Sequence, residues 1–267
     1  MSYEAQLRET FGELDLGVED LFLLDDFQIG YLPERAPRRE LAVTLHANPA
    51  LRRYFVSKWP PIATYLATIL RLFQPVDDRK TLISCADRLV WEIAEMIVYN
   101  KHPDFFARST GRVDLAEITK ITPLAGKVVI DAGAGPGTLA FPAAAEAKLV
   151  MAVEPASGMR RYLREQICER NVLNIQAIDG FLHAIPLPAD FADVLLTCRA
   201  IGWNLEAELV EIERVLRPGG FAVHLSGYQQ DEANPVHETL VAAPWNYHVE
   251  TYVENGITKR KYWKQLS

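Results

Sequence analysis

From about residue 124 onward, short apolar runs alternate with helix-like segments, and this alternation restricts the fold more than any other feature of the sequence. The runs read, in order, KVVID, KLVMAVE, NIQAID, ADVLLT and FAVHLS. Amphipathic patterns such as GMRRYLREQICER and EAELVEIERVL lie between them. Strands that alternate with helices form a parallel sheet with both faces covered. The sequence therefore predicts an α/β fold built on a mostly parallel sheet.

The two ends of the chain have different patterns. Before residue 120, apolar residues recur at helical spacing, as in TLISCADRLVWEIAEMIVYN, and prolines divide the earlier part into short helices. These prolines are Pro33, Pro37, Pro49, Pro60, Pro61 and Pro75. At the other end, HVETYVE and ITKRKYW flank Asn255-Gly256, which is the turn chemistry of an antiparallel hairpin. We predict a helical region over residues 1–120 and a sheet domain over residues 121–267.

Composition limits the classes of function. The chain has 267 residues, 49% of them hydrophobic, and a formal net charge of −7. An acidic chain is a poor ligand for phosphate backbones, so we expect no nucleic-acid partner. No apolar run approaches the length of a membrane span, and the N-terminus lacks the apolar core of a secretory signal. Cys85, Cys168 and Cys198 are far apart, which indicates reduced thiols in a cytoplasmic protein and no metal site.

The segment VVIDAGAGPGTLA, residues 128–140, places a carboxylate beside a glycine loop. In open α/β sheets ligands bind at the carboxyl ends of the strands, where Asp131 ends the first run. The three glycines Gly133, Gly135 and Gly137 let the backbone approach a ligand at the start of the next helix, where N–H groups attract an anionic group. We therefore predict a nucleotide or nucleoside cofactor at this loop.

Two cofactor classes compete for the loop. A dinucleotide favours G-x-G-x-x-G, but Thr138 stands at the third glycine position, and Asp131 would repel a pyrophosphate. S-adenosylmethionine carries no phosphate, and its positively charged amino and sulfonium groups suit Asp131. Glu154 ends the second run, 19 residues past Gly135, where one carboxylate can accept from both ribose hydroxyls. These residues favour S-adenosylmethionine over a nicotinamide dinucleotide.

Four motifs in order resemble the class I S-adenosylmethionine-dependent methyltransferases, in the broad methyltransferase type 11 group that includes the ubiquinone and menaquinone C-methyltransferases. They are VVIDAGAGPG, AVEPASGM, IDGFLHAIPLPADFADVLL and RVLRPGG. The resemblance covers residues 125 to 227 and leaves residues 1 to 95 outside. It implies a Rossmann-like, seven-stranded, mostly parallel sheet with a C-terminal antiparallel hairpin. A small last helix is expected between the fifth strand and the hairpin.

The resemblance also implies roles for residues of this chain. Asp131 would anchor the methionine end of the cofactor, Glu154 would hold the ribose, and Asp179 would contact the adenine amine. The candidate cofactor-binding residues are Asp131, Gly133, Ala134, Gly135, Gly137, Glu154, Pro155, Asp179, Gly180, Phe181 and Cys198. A methyl sulfonium needs in-line positioning more than bond chemistry, so we assign no catalytic base.

The acceptor is expected to be a small molecule, and candidate residues for it are Tyr31, Tyr99, His102 and Arg199. The first three lie in the helical region, which we expect to cover the strand ends. The same region is the candidate surface for a homodimer. Three alternatives stay open: a protein methyltransferase, a non-catalytic S-adenosylmethionine-binding or scaffold protein, and an NAD-dependent oxidoreductase, which Thr138 and Asp131 disfavour.

Overall fold

The computed structural model of the protein describes residues 3–109, 113–230 and 232–267. By internal packing the chain divides into two compact units, the first ending at His102 and the second running from Pro103 to Ser267. Helices make up the first unit, and a seven-stranded sheet forms the centre of the second. The predicted order of a helical region followed by an α/β domain is therefore confirmed.

Short helices build the first unit, and their ends follow from the sequence. The Asn48 side chain accepts from Leu51 N (3.2 Å) and begins one helix, and Asp78 accepts from Thr81 N (2.8 Å) and begins another. None of the described helices is long and apolar enough to cross a bilayer. The α-helices are α1 (Tyr3–Phe11), α2 (Asp26–Arg35), α3 (Arg38–Ala47), α4 (Pro49–Lys58), α5 (Ala63–Leu72), α6 (Arg79–Glu92) and α7 (Ala94–Lys101), with 3₁₀ turns at Val18–Leu23 and Pro60–Ile62.

Prolines separate most of these helices, as predicted, but Pro33 does not. It lies inside α2, which continues to Arg35. A proline so close to the end of a helix removes only one of the last backbone hydrogen bonds, so the helix continues for two further residues. The first unit has its own core, which the side chains of Ile29, Leu41 and Phe55 help to fill.

The second unit contains the sheet, with strand order β3-β2-β1-β4-β5-β7-β6. β1 to β5 pair in parallel, and β7 pairs antiparallel with β5 and β6. The strands are β1 (Val128–Ala132), β2 (Leu149–Val153), β3 (Ile175–Ile178), β4 (Ala192–Cys198), β5 (Leu216–Gln229), β6 (His248–Glu254) and β7 (Ile257–Gln265). The helices of this unit are α8 (Pro103–Ser109), α9 (Ala116–Thr119), α10 (Ala140–Ala144), α11 (Ser157–Glu169), α12 (Leu205–Val215) and α13 (His237–Val241). Every strand and the terminal hairpin lie where the sequence predicts them, and α13, at five residues, is the expected small last helix.

Both faces of the sheet are buried, which explains the nearly continuous apolar runs. Successive strand residues point to opposite faces, so Val129 packs in one core cluster and Ile130 in another. The same alternation separates Val194 from Leu195 on β4. A parallel sheet covered in this way brings the carboxyl ends of its strands together at one edge.

The boundary between the two compact units follows His102, 18 residues before the domain boundary that the sequence predicts at residue 120. Segment 113–120 packs with the sheet, because Ile118 of α9 belongs to the same buried cluster as Val129. Lys261 of β7 is 2% exposed, and its Nζ donates to Glu117 Oε2 (2.8 Å) and to Glu117 O (3.2 Å). The sequence predicted only that this segment is helical. The spacing of apolar residues along a helix does not reveal which core the helix packs against.

The ion pair between Lys261 and Glu117 provides a stability test. Lys261→Met keeps the aliphatic stem and removes the ammonium, so we expect a loss of roughly 1.5–3 kcal/mol in the free energy of unfolding. Lys120 also contacts Glu117 (2.5 Å) but is solvent-exposed, so Lys120→Met is the matched control and should change little. Urea denaturation measures both variants, and equal effects would contradict a structural role for the buried pair.

Candidate functional site

The candidate site lies at the edge where the parallel strands end. Strands β2 and β3 lie on one side of β1, and β4 and β5 lie on the other. The order in which successive strands are added to the sheet therefore reverses direction between β1 and β4. In open α/β sheets, ligands bind in the crevice at such a switch point. Asp131 lies near the end of β1, Glu154 directly follows β2, and Cys198 ends β4. The sheet thus brings these predicted residues to one edge.

The glycine loop after β1 is held against the end of β2. The amides of Gly133 and Ala134 both donate to Val153 O, at 2.9 and 3.1 Å. Gly133 has a φ of +73°, and a Cβ there would lie 2.3 Å from the Cβ of Ala200, so a side chain is excluded by conformation and by space. At Gly135, by contrast, a Cβ would meet no atom within 4 Å. The loop is therefore tightly packed at Gly133 and has open space at Gly135.

The turn beyond these residues differs from the expectation. The amide of Gly137 donates to Ala134 O (2.9 Å), and the next helix, α10, begins only at Ala140 and has five residues. A helix this short contributes little dipole, so the anion site expected at its N-terminus stays a prediction. The backbone turn itself, and not a long helix, forms this side of the site.

Glu154 connects the loop to the segment that follows β2. Its side chain is buried, with Oε2 accepting from Gly135 N (2.9 Å) and Oε1 accepting from Ala156 N (2.9 Å). Burial raises the pKa of Glu154, and these two backbone hydrogen bonds oppose the rise. A carboxylate has about four lone-pair positions, so each oxygen keeps capacity for one further donor.

Asp131 is a buried carboxyl group with incomplete hydrogen bonding. It is 1% exposed, and within the described part of the chain its Oδ2 has no hydrogen-bond partner. Burial raises the pKa of Asp131 to about 7, against the effect of a hydrogen bond from the Ala140 amide. A buried carboxylate oxygen without a donor is costly, and a cationic ligand would offset that cost.

Asp179 follows β3 and is ion-paired. Its Oδ1 lies 2.9 Å from Arg160 Nη1, while its side chain stays 70% exposed. The same Arg160 nitrogen also contacts the carbonyl oxygens of Glu154 (2.8 Å) and Pro155. Arg160 therefore ties together the segments after β2 and β3. Sequence reasoning overlooked it, although its place in the first turn of α11, six residues after Glu154, was a usable signal.

The other predicted cofactor residues have distinct surroundings. Gly180 is packed so closely that a Cβ would lie 2.6 Å from Pro186 Cδ. The ring of Phe181 is stacked on His183, with centroids 5.2 Å apart. Cys198 is half-buried, and burial raises the pKa of its thiol to about 11, so the thiol stays protonated near neutral pH.

The predicted acceptor residues fall in both compact units. Arg199 directly follows β4 with a φ of +59°, and its Nη2 donates to Glu254 Oε2 (2.7 Å). In the helical unit, Tyr31 of α2 contacts Phe27 edge-to-face, and Tyr99 lies half-buried on α7. His102 directly follows α7, and its Nε2 is buried. The acceptor role of these residues, and of the helical unit as a whole, stays a prediction.

Comparisons with known proteins identify the sheet unit. Residues 129–220 match the family described as "Methyltransferase domain". A malonyl-[acyl-carrier protein] O-methyltransferase of Yersinia pestis is 37% identical over 97 residues, which are 36% of this chain and 34% of that protein. An uncharacterized methyltransferase of Mycobacterium bovis is 34% identical over 101 residues, 38% of this chain and 40% of that protein. The chain thus spans less than half the length of these relatives.

The solved structures that align with this chain include a SAM-dependent methyltransferase from Aquifex aeolicus. It has a TM-score of 0.48 and 16% sequence identity, and the alignment covers 64% of this chain and 92% of that one.

The sheet unit therefore carries a class I methyltransferase domain, as the four motifs indicated. The Yersinia and Mycobacterium relatives bear other names, so kinship with the ubiquinone and menaquinone C-methyltransferases stays a prediction.

Because the carboxyl group of Asp131 is buried, we expect the stability of the ligand-free protein to fall as Asp131 loses its proton. The pKa of Asp131 in the folded protein, about 7, lies above its value in the unfolded chain, so stability falls as pH rises between those two values. Asp131→Asn removes the charge, and we expect the ligand-free variant to be more stable at pH 8 by roughly 1–3 kcal/mol. Below pH 6 the difference should shrink, because Asp131 is then protonated.

Urea denaturation of ligand-free protein at pH 5 and pH 8 measures this difference. Asp77→Asn, at an exposed position, is the matched control and should behave like the wild type at both pH values. A variant Asp131→Asn that is less stable than the wild type at pH 8 would show that the Asp131 charge is stabilised within the folded protein.

Proposed function

We propose that the protein is an S-adenosylmethionine-dependent methyltransferase that acts on a small molecule. The single observation that carries the proposal is the buried carboxylate of Asp131, whose Oδ2 has no hydrogen-bond partner among the described residues. It lies in β1, two residues before the glycine loop begins at Gly133. The amino group of S-adenosylmethionine provides the positive charge and the N–H donors that such a carboxylate requires.

Glu154 supports the same cofactor. Its two oxygens are fixed by the amides of Gly135 and Ala156, each at 2.9 Å, so the carboxylate cannot rotate freely. The remaining lone pairs match the two vicinal hydroxyls of a ribose. Gly135 leaves open space at the loop, which suits the approach of a nucleoside. Asp131 and Glu154 are both acidic, which disfavours a pyrophosphate-bearing dinucleotide here.

When bound, S-adenosylmethionine supplies an electrophilic methyl group on a good leaving group. The residues of this chain bind and orient it. Asp131 would hold the amino group, Glu154 would hold the ribose, and the Gly133–Ala200 contact would keep the loop in place. Arg160 stabilises the segments after β2 and β3, on the side proposed for the adenine. Fixed orientation and exclusion of water account for most of the catalysis expected from such a site.

Two experiments test the proposed function. Calorimetry with S-adenosylhomocysteine in the presence of EDTA should show binding, whereas NADH should not bind. Incubation with methyl-labelled S-adenosylmethionine should then label the metabolite fraction of a cell extract. Label in the protein fraction would favour a protein methyltransferase, and binding without any transfer would favour a non-catalytic cofactor-binding protein. Binding of NADH alone would contradict the proposal.

Removal of the Glu154 carboxylate should weaken cofactor binding. Two hydrogen bonds from ribose hydroxyls to a charged acceptor would be lost in Glu154→Ala, so we expect a Kd for S-adenosylhomocysteine about 10- to 100-fold higher. Glu165→Ala, at an exposed position of the following helix, is the matched control and should not alter the Kd. A folded Glu154→Ala variant with an unchanged Kd would exclude Glu154 from ribose binding.

Cofactor affinity should depend on pH through Asp131. Its pKa of about 7 in the free protein falls when a cationic amine binds beside it, so binding favours the deprotonated form. Between pH 5.5 and 7 the affinity for S-adenosylhomocysteine should rise by up to about tenfold per pH unit and then level off.

Calorimetric titrations at half-unit pH intervals measure this dependence. Adenosine is the control ligand, because it lacks the amino group of the methionine part. Adenosine should bind with little pH dependence, and Asp131→Asn should flatten the profile for S-adenosylhomocysteine. The same pH dependence for both ligands would place the amino group elsewhere.

A further inference from the structure

A separate pocket lies in the sheet unit beside the candidate cofactor site. Its volume is about 520 Å³, which falls within the usual range for small-molecule sites. Its walls come from the segment after β4, the end of β5 and the segment before α13. The segment after β4 includes Ala200, against which Gly133 packs, so the pocket borders the glycine loop.

A neutral histidine lies in the β5 wall of this pocket. His224 is completely buried, and its Nδ1 lies 2.9 Å from Thr197 Oγ1 on β4. Burial lowers the pKa of His224 to about 3, so the imidazole is uncharged at neutral pH. Within the described ranges its Nε2 has no hydrogen-bond partner. Depending on which nitrogen carries the proton, Nε2 needs either an acceptor or a donor, and a hydroxyl can serve as both.

Ser226 and Tyr262 add further polar groups to the wall. Ser226 Oγ accepts from Tyr228 N (3.1 Å) and from Asn234 Nδ2 (3.4 Å), which leaves its hydroxyl proton to be donated. The Tyr262 hydroxyl accepts from Asn234 Nδ2 (3.1 Å) and lies 3.0 Å from His237 Nδ1. The Tyr262 hydroxyl is therefore engaged by its neighbours, whereas the Ser226 hydroxyl proton and the buried His224 Nε2 have no hydrogen-bond partner among the described residues.

The charges around the pocket disfavour an ionic ligand. Arg199 lines the pocket, but its guanidinium is paired with the buried Glu254 at 2.7 Å. Glu232, also in the lining, is exposed and negative, which disfavours a carboxylate or phosphate. His224 is neutral, so it adds no charge of either sign. A neutral ligand fits this balance better than an anion or a cation.

Flat and apolar side chains complete the pocket. Trp203 is 69% exposed and Tyr228 37% exposed, and both line the pocket along with the buried Val236. Aromatic side chains of this kind contact planar rings with large area and favourable geometry. The lining thus combines a ring-binding wall with two groups suited to one hydroxyl.

We propose that this pocket binds a neutral ring compound bearing a hydroxyl, such as a phenol, and that this compound is the methyl acceptor. The acceptor role rests on the proposed function. The hydroxyl bonds to His224 Nε2 and Ser226 Oγ, and the ring lies against Trp203 and Tyr228. His224 and Ser226 are thus binding residues that select neutral over charged acceptors.

The test uses the full chain saturated with S-adenosylhomocysteine, with 4-methylphenol as the probe. Three matched probes differ only in the polar group: toluene has none, 4-methylbenzoate is an anion, and 4-methylbenzylamine is a cation. Ligand-observed NMR gives each Kd, and ¹³C-labelled histidine reports the His224 resonance, assigned by its loss in His224→Phe. We expect 4-methylphenol to bind most tightly and to shift the His224 resonance.

Variants test the two hydrogen bonds. Ser226→Ala removes one neutral hydrogen bond to the ligand, so the Kd for 4-methylphenol should rise about 3- to 10-fold. The Kd for toluene, which has no hydroxyl, should stay unchanged. Ser57→Ala, the same substitution on the exposed surface of α4, is the matched control and should bind like the wild type. Ser226→Ala removes only a hydroxyl, so it carries the test even if His224→Phe does not fold.

Three results would overturn the inference: tighter binding of the benzoate or the benzylamine, no shift of the His224 resonance with any probe, or an unchanged Kd in Ser226→Ala. Failure of S-adenosylhomocysteine to bind is a different result, because it would overturn the proposed function and the acceptor role with it. Normal S-adenosylhomocysteine binding without phenol binding would overturn this inference alone.

Discussion

The bridge that Glu154 makes between two backbone segments holds the functional edge of the sheet together. One carboxylate fixes the amide of Gly135 in the glycine loop and the amide of Ala156 at the start of α11, each at 2.9 Å. The same loop is also held to the last residue of β2 by the two amide contacts to Val153 O. The site geometry therefore depends on a buried acidic side chain whose burial is itself unfavourable.

Asp131 adds a second buried acid close to the first, and the repulsion from Glu154 contributes to the raised pKa of Asp131. Two acids buried near each other lower the stability of the ligand-free protein. Functional sites often retain such an arrangement because it is complementary to a ligand and not to the protein itself. A cationic cofactor would relieve the cost, so stability and cofactor affinity are linked through the same carboxyl groups.

The pocket beside the loop is complementary to a different kind of molecule. The cofactor edge is acidic, whereas the pocket contains a neutral imidazole and a hydroxyl, and its arginine is already paired. Strand β4 ends with Cys198 beside the cofactor edge, and the neighbouring β5 places His224 in the pocket wall, so one sheet positions both residues. A cationic cofactor and a neutral acceptor would thus be held on one rigid element, which is the arrangement that in-line transfer between them requires.

The sequence by itself determined the elements of the sheet unit and the position of Asp131 and Glu154 at the carboxyl ends of its strands. Buried parallel strands need continuous apolar runs, and the glycine loop needs residues that tolerate positive φ, so both leave local signals. Sequence patterns within segment 113–120 could not show that Ile118 packs in the core of the sheet unit. A helical pattern shows which face of a helix is apolar but not which element covers that face. Nor could sequence patterns show the Arg160 bridge, the Arg199–Glu254 pair, or the position of His224 and Ser226 in the lining of one pocket. Those contacts join residues distant in sequence, and only the packing of strands and loops in three dimensions decides which side chains meet.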